Sequence, residues 1–395
     1  MKSDSFLLLF TLAAMMALTS MSVDIYLSSM PQVAAQFHAP AELTLTGFLI
    51  GFALGQLIWG PISDLLGRKL PLTLGMIIFV LGCWGCSQSQ SMETLVAWRV
   101  LMALGACTAP MLARAMVRDL FAPSKAADVF LLLNIIVAIA PICGPLLGTL
   151  ISDWFSWRAI FIFLMGVGSI FFLLSFKLPE TLKQRRPLSS LGQSFVSYLH
   201  LWSNFTYGRY VLCITFTYVA TYAFISGAPQ VYISHYQQSA FTFNLIFALG
   251  VLAVLLTSLG ARKIIHQYPL EKILLLATLW ACFWGLMLLL ADTFTLGIWY
   301  LAFCNIMHFM PTGIITSVAT SLALAQVKDQ QVGTATALLT ALQYGSGIIS
   351  SLFLAKFLSN AHIEAFALII CIALFLALVV LLPSKAHSKQ NQESY

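Results

Sequence analysis

Asp24 and Arg99 are an acid and a base that each stand inside a long apolar run. An ionisable side chain within hydrocarbon costs about 2.5–3.5 kcal/mol on insertion scales, so each needs a partner or a task. Asp24 lies about 18 residues into the first run, roughly 27 Å along a helix. Arg99 lies about six residues from the outer end of the fourth run, a depth of roughly 9 Å. The two runs cross in opposite directions, so acid and base fall in the same outer third of the membrane. One reading is a coupled pair facing a water-filled cavity, with Asp24 taking and releasing protons. The other is that Asp24 simply ends its helix in the headgroup layer. Burial favours a protonated acid and a nearby guanidinium favours the carboxylate. A movement that alters their separation or wetting would therefore load or unload a proton. Arg99 stays charged and acts as a fixed counter-charge.

A second constellation is Gly60-Pro61-Ile62-Ser63-Asp64-Leu65-Leu66-Gly67-Arg68-Lys69, read as a loop after the second run. Glycines at both ends permit a tight turn, and Asp64 faces Arg68 and Lys69. Asp64 can also serve as an anion at the N-terminus of a neighbouring helix. Arg118-Asp119, at the inner end of the fourth run, supplies a partner for Arg68. Such contacts would latch the cytoplasmic side and break when it opens; the plainer reading is an ordinary charged loop. The third is Pro141-Ile142-Cys143-Gly144-Pro145-Leu146-Leu147-Gly148, whose prolines predict a kink and whose glycines allow close helix approach.

In the second half, Tyr218, Tyr222, Gln230, Asn305, His308, Gln343 and Tyr344 are polar or amphipathic residues within apolar runs. Each either lines a cavity, as Tyr26 does in the first half, or bonds a neighbouring helix. His308 is a secondary proton-site candidate. An aromatic, hydrophobic surface suits bulky apolar or cationic substrates better than sugars.

These residues must be held by membrane helices. Of 395 residues, 60% are hydrophobic and 9% charged, against about 45–50% and about 25% in soluble proteins. That excludes a cytosolic enzyme or a nucleic-acid module, and the net charge of +6 is explained by where the basic residues lie. Twelve runs are long enough to cross about 30 Å of hydrocarbon, the first over roughly 6–28, the fourth over 93–113 and the last over 364–382. The first run is too long for a signal peptide and is read as an uncleaved helix. Sixteen Lys and Arg fall in the termini and the even-to-odd connections, against Arg158 and Lys356 on the other side. By the positive-inside rule both termini are cytoplasmic. The fold expected is all-α: two six-helix bundles at 1–180 and 208–384, a linker with an amphipathic surface helix at 181–207, and a tail at 385–395. The eight cysteines all fall in apolar runs and read as buried packing residues, Cys83-Trp84-Gly85-Cys86 included. No metal or cofactor site is expected.

Together these motifs resemble the major facilitator superfamily, in particular the twelve-helix drug:proton antiporters of the bicyclomycin-resistance (Bcr/CflA) type. Gly60, Asp64, Gly67, Arg68 and Lys69 match the family's loop motif, with Leu65 in place of its usual arginine. Asp24-Ile25-Tyr26-Leu27 resembles the signature of the first span, and Arg99 with Gly105 that of the fourth, where Met102 and Ala103 replace Gln and Gly. Gly144-Pro145-Leu146-Leu147-Gly148 is similar to the antiporter motif, with Thr149 for its final Gly. Trp157 to Phe161, Leu178-Pro179-Glu180-Thr181 and Gly333 to Ala337 also resemble segments of this branch. The resemblance implies a monomeric bacterial inner-membrane protein that exports varied small amphiphiles by alternating access, driven by protons. The alternative is a dedicated exporter of one solute such as a siderophore, an amino acid or a sugar. A membrane sensor or a membrane enzyme is disfavoured, for want of an output domain or a catalytic set.

Overall fold

The computed structural model describes residues 3–121, 123–182, 199, 201–265, 267–293, 296–328, 332–358 and 364–382. The basic run Lys183 to Pro187, the expected amphipathic positions Leu191, Phe195 and Tyr198, and the tail 385–395 lie outside the described residues. Trp202, beyond that stretch, is exposed.

Twelve spans are long and apolar enough to cross a bilayer, and the described residues contain no strand. In chain order they are Leu8–Phe37, Glu42–Leu66, Lys69–Gln88, Met92–Leu120, Ile136–Trp154, Trp157–Ser175, Phe205–His235, Ala240–Ile265, Leu270–Leu290, Ile298–Leu324, Val332–Phe357 and Glu364–Leu381. The first and fourth run well past the ends read from hydropathy, because each continues as a second, more polar helical piece. Ser3–Asp24 is followed by a 3₁₀ turn at Leu27–Ser29 and the short helix Met30–Phe37. Met92–Ala106 is followed, after Cys107, by Thr108–Leu120.

Such interruptions recur at every third span. The seventh passes from Phe205–Pro229 into a π turn at Gln230–His235, and the tenth divides into Ile298–Phe309 and Thr312–Leu324. Each of these four breaks has a proline beside it, namely Pro31, Pro110, Pro229 and Pro311, and a proline removes a backbone donor. The eleventh also divides, at Ser346. The kink expected in the fifth span is not a break: the helix Pro123–Trp154 runs unbroken through Pro141 and Pro145. Here Ser28 Oγ, Thr149 Oγ1 and Asn244 Nδ2 all donate to the Pro145 carbonyl, at 3.3, 3.0 and 3.2 Å.

Within the first six spans, the first packs on the fifth and the fourth on the second and third; within the last six, the seventh packs on the tenth, eleventh and twelfth. The two sets meet where the second span packs on the eleventh and the fifth on the eighth. Hydrogen bonds across this seam join Thr46 Oγ1 to Ser351 Oγ at 2.7 Å and Asn244 Nδ2 to Thr149 Oγ1 at 2.8 Å. Both lie at the end of the bundle opposite Arg68, Lys69, Arg262 and Lys263; the two ends are called here the far end and the basic end. All eight cysteines are free, and Cys83, Cys86, Cys107, Cys213 and Cys304 are buried as expected. Cys143 is not: it is exposed on the fifth span, and Cys282 and Cys371 are half-buried.

Candidate functional site

The first helix stops at Asp24, so carbonyls in its last turn are left for other donors and its C-terminus carries partial negative charge. Arg99 exploits this. It is fully buried, and its Nη1 donates to the Ser22 carbonyl at 3.0 Å. Its guanidinium carbon lies 4.8 Å from the Phe48 ring, 5.2 Å from Tyr26 and 5.7 Å from Phe161. A desolvated cation gains roughly 2 kcal/mol from such a ring, so three rings and a helix terminus stand in for a carboxylate. The expected Asp24–Arg99 ion pair is not formed: the ion pairs among the described residues are those of Arg68. Physically, the end of the helix turns Asp24 elsewhere while the Ser22 carbonyl takes the guanidinium.

Asp24 is 6% exposed and sits against the fifth span, where a Cβ placed on Gly144 would lie 3.2 Å from its own Cβ. It interacts electrostatically with Tyr222 and Tyr344 across the seam between the halves. Those two rings form a triangle with Tyr218, with centroids 6.0 to 6.3 Å apart, and Phe52 of the second span lies 4.5 Å from Tyr344. Tyr222 is buried, whereas Tyr218 and Tyr344 are half-buried. Arg114, on the second piece of the fourth span, is exposed and interacts electrostatically with both half-buried tyrosines. The site thus has a carboxyl at one side, aromatic faces in the middle, and a guanidinium toward the basic end.

Other candidate residues are placed differently. Tyr26 belongs to the Arg99 enclosure, fully buried and away from the tyrosine triangle. Asn305 is buried and donates to the Tyr232 hydroxyl at 2.7 Å. His308 is 2% exposed, with Nδ1 3.4 Å from the Cys304 carbonyl and Phe224 edge-on to its ring. Gln343, 7% exposed, does join the site, since its side chain hydrogen-bonds Tyr218 of the triangle, and Gln230 accepts from Ser234 Oγ at 3.1 Å.

At the basic end, the residues Gly60 to Leu66 are the last turns of the second span rather than a loop. Gly60 has nothing near its side-chain position, so it is not a turn glycine. Gly67 is one, with φ of +96°, which L side chains rarely adopt. Arg68 Nη1 binds Asp64 at 2.7 Å and its Nε binds Asp119 at 3.1 Å. Arg118 is exposed and outside the described ion pairs, though it interacts electrostatically with Asp119, and Lys69 Nζ donates to the Phe176 carbonyl instead of meeting Asp64. The anion at the neighbouring helix terminus is Glu180, not Asp64. Its carboxylate accepts from the backbone N–H of Arg68 at 2.9 Å and of Lys69 at 3.1 Å, at the start of the third span. Burial alone would raise the Glu180 carboxyl, but backbone N–H groups of Arg68, Leu182, Lys69 and Thr181 outweigh it and hold it below its ordinary range. Thr181 Oγ1 donates to Asp119 at 3.1 Å, closing a network that lies wholly within the first six spans.

Glu180, Arg114 and the Ser22 carbonyl escaped the sequence reading as site groups. Glu180 stands in the Leu178-Pro179-Glu180-Thr181 segment singled out above, but nothing local in the sequence marks it as a cap for a helix that begins at Lys69. The other two carry no signal either. Among the described residues no three His, Cys, Asp or Glu gather as metal ligands.

The family model "Major Facilitator Superfamily" matches residues 12–351 and 210–395. The chain is 35% identical over 276 residues to the MFS-type transporter YdgK of Bacillus subtilis, covering 67% of this chain and 69% of that one. It is 28% identical over 354 residues to a bicyclomycin resistance protein homolog of Haemophilus influenzae, covering 88% of each. A crystal structure of a D-xylose-proton symporter shares the fold, with a TM-score of 0.74 at 15% identity over 95% of this chain and 97% of that one. Twelve spans, the recurrent breaks and these matches identify a multi-pass inner-membrane transporter: the chain belongs to the major facilitator superfamily, among relatives of the bicyclomycin-resistance type.

Proposed function

We propose that the chain is a proton-coupled exporter of small amphiphilic compounds, a drug:proton antiporter that works by alternating access without a cofactor. The observation that carries this is Asp24, a buried carboxyl outside the described ion pairs, within electrostatic reach of the tyrosine triangle between the two halves. With the basic end in the cytoplasm, the seam hydrogen bonds close the outer side, and Arg114, Tyr218 and Tyr344 keep surface accessible. A flat amphiphile entering from the cytoplasm meets three tyrosine faces. Its positive or polarised group is attracted by the Asp24 carboxylate and is released when that group takes a proton from outside. Substrate and proton then compete for one charge, which is what antiport requires. Movement of the halves about the second–eleventh and fifth–eighth contacts exchanges the open side. The naming of a relative for bicyclomycin resistance supports drugs as the cargo.

Purified protein in vesicles, with an imposed pH gradient and a panel of lipophilic cations and neutral phenicols, tests this. Asp24→Asn is expected to abolish accumulation against a gradient while leaving expression and folding intact. Undiminished uphill transport by that variant overturns the assignment.

A further inference from the structure

Glu42 opens the second span at the far end, and it is 4% exposed. The described ion pairs, both made by Arg68, leave it out. The transport route above does not employ it. Its neighbour at the first-span break is Tyr26, which interacts electrostatically with Glu42 and with Arg99. Tyr26 also meets the Thr44 side chain, two residues from Glu42, and buried polar atoms without partners lie beside it: Ser29 Oγ, and Nε and Nη2 of Arg99. In folded proteins such atoms are normally satisfied by ordered water where the site is polar and roomy enough. They lie along the first-span break, with Asp24 on one side and Glu42 toward the far end.

The other charged or titratable groups on the elements around Glu42 leave this arrangement standing. Cys83 and Cys86 of the third span interact with Arg99, and Glu93 at the start of the fourth is exposed. Lys356 of the eleventh is exposed, with its ammonium 5.8 Å from the Phe357 ring, and His38 in the preceding connection is exposed. Arg99 is held by the Ser22 carbonyl and three aromatic rings, so Asp24 and Glu42 are two buried carboxyls outside the described ion pairs. An unpaired charge in a low-dielectric interior is costly, so each of these carboxyls is buried at least cost when it holds a proton.

We propose that Glu42 is a second proton-binding carboxyl, the outer station from which Asp24 is loaded. This rests on the antiport reading and names a residue it lacked. The proton leaves Glu42, passes along water and the Tyr26 hydroxyl, which accepts one hydrogen ion as it releases another, and protonates the Asp24 carboxylate. Glu42 is left as a carboxylate and is refilled from the outer medium. Only O–H bonds are exchanged and no redox partner is needed.

The test uses the full chain in vesicles with tetraphenylphosphonium and chloramphenicol, followed with whichever the wild type accumulates. Two fluxes are compared: uptake driven by a pH gradient, and substrate exchange at equal pH, which moves no net proton. Glu42→Gln is expected to lower driven uptake at least tenfold while exchange stays within twofold, and Glu42→Asp to recover part of the driven flux. Driven uptake by Glu42→Gln equal to wild type, with the same dependence on outside pH, overturns the proposal. So does an equal fall in both fluxes that Glu42→Asp does not recover, since that marks a structural residue. Should Glu42→Gln not fold, dicyclohexylcarbodiimide, which attacks protonated carboxyls in apolar sites, is applied to the wild type. An adduct on Glu42 that grows as the outside pH falls supports the station; no adduct at any pH refutes it. A wild type whose uptake ignores the gradient instead fails the antiport reading beneath, whatever Glu42 does.

Discussion

Replacing Gly148 by alanine adds one methyl group where the fifth span touches the backbone of the first. A Cβ there would lie 1.7 Å from the Ile25 carbonyl oxygen and 2.8 Å from its carbon. Carbon and carbonyl oxygen in close packing stay about 3.3 Å apart, so the two chains must separate by roughly 1.6 Å. The obstacle is main chain and cannot rotate away. Overpacking of this kind costs about 1–3 kcal/mol, and about 1.4 kcal/mol is already tenfold in a rate. The displaced element is the break that carries Asp24, one residue before Ile25, so the strain falls on the proposed proton site.

Gly148→Ala is therefore expected to lower gradient-driven drug uptake in vesicles at least tenfold and to reduce the melting temperature. Two companions calibrate the result. Gly144→Ala meets Asp24 Cβ at 3.2 Å and the Ile25 backbone nitrogen at 3.3 Å, and should lose no more than about threefold, since these contacts need to open by only a few tenths of an ångström. Gly166→Ala has nothing within 4 Å and should match the wild type. Uptake is normalised to monodisperse protein from size exclusion. If Gly148→Ala behaves like Gly166→Ala in both uptake and melting, the first-span break is not seated as described and the reasoning fails.

Two further outcomes follow from contacts at the two ends. Glu180 is held below its ordinary value near 4.5 by the N–H groups at the start of the third span, so its contribution is present at neutral pH and is lost as pH falls through the lowered value; Glu180→Gln should melt below wild type at pH about 7, with the difference closing on acidification, and a constant difference would count against the cap. Thr46 Oγ1 and Ser351 Oγ lie 2.7 Å apart across the seam, so Thr46→Cys with Ser351→Cys, in a background with Cys143→Ala, should cross-link on oxidation and stop transport until reduced; full transport by the cross-linked protein would rule out opening at that end.

The twelve spans were legible because hydrocarbon thickness sets a length that composition alone satisfies. Asp24 and Arg99 were legible because buried charge is expensive, and depth along two antiparallel helices placed them together. What they do there was not. The partner of Arg99 is a backbone carbonyl made available by a helix end, and a carbonyl is present at every position, so nothing in residue type marks Ser22. The break after Asp24 has its proline at Pro31, seven residues on, whereas the conspicuous prolines of the fifth span sit in an unbroken helix whose carbonyl at Pro145 is filled by Ser28, Thr149 and Asn244. Gly67 was read correctly as a turn residue, but Gly60 looks identical in sequence and lies in an open stretch of helix.

The grip on the first span explains why a proton there would matter to the whole transporter. Arg99 of the fourth span holds Ser22, and Gly144 and Gly148 of the fifth press on Asp24 and Ile25. The fifth span in turn meets the eighth through Pro145, Thr149 and Asn244. A negative charge on Asp24 sits at the C-terminal pole of its own helix, where anions are disfavoured, and against a helix that leaves it almost no room. On the antiport reading, gaining or losing that charge changes how tightly the first and fifth spans can close, and the fifth carries the change directly to the seam between the halves. A proton site elsewhere on the first helix would lack this lever, which is why the acid belongs at the break.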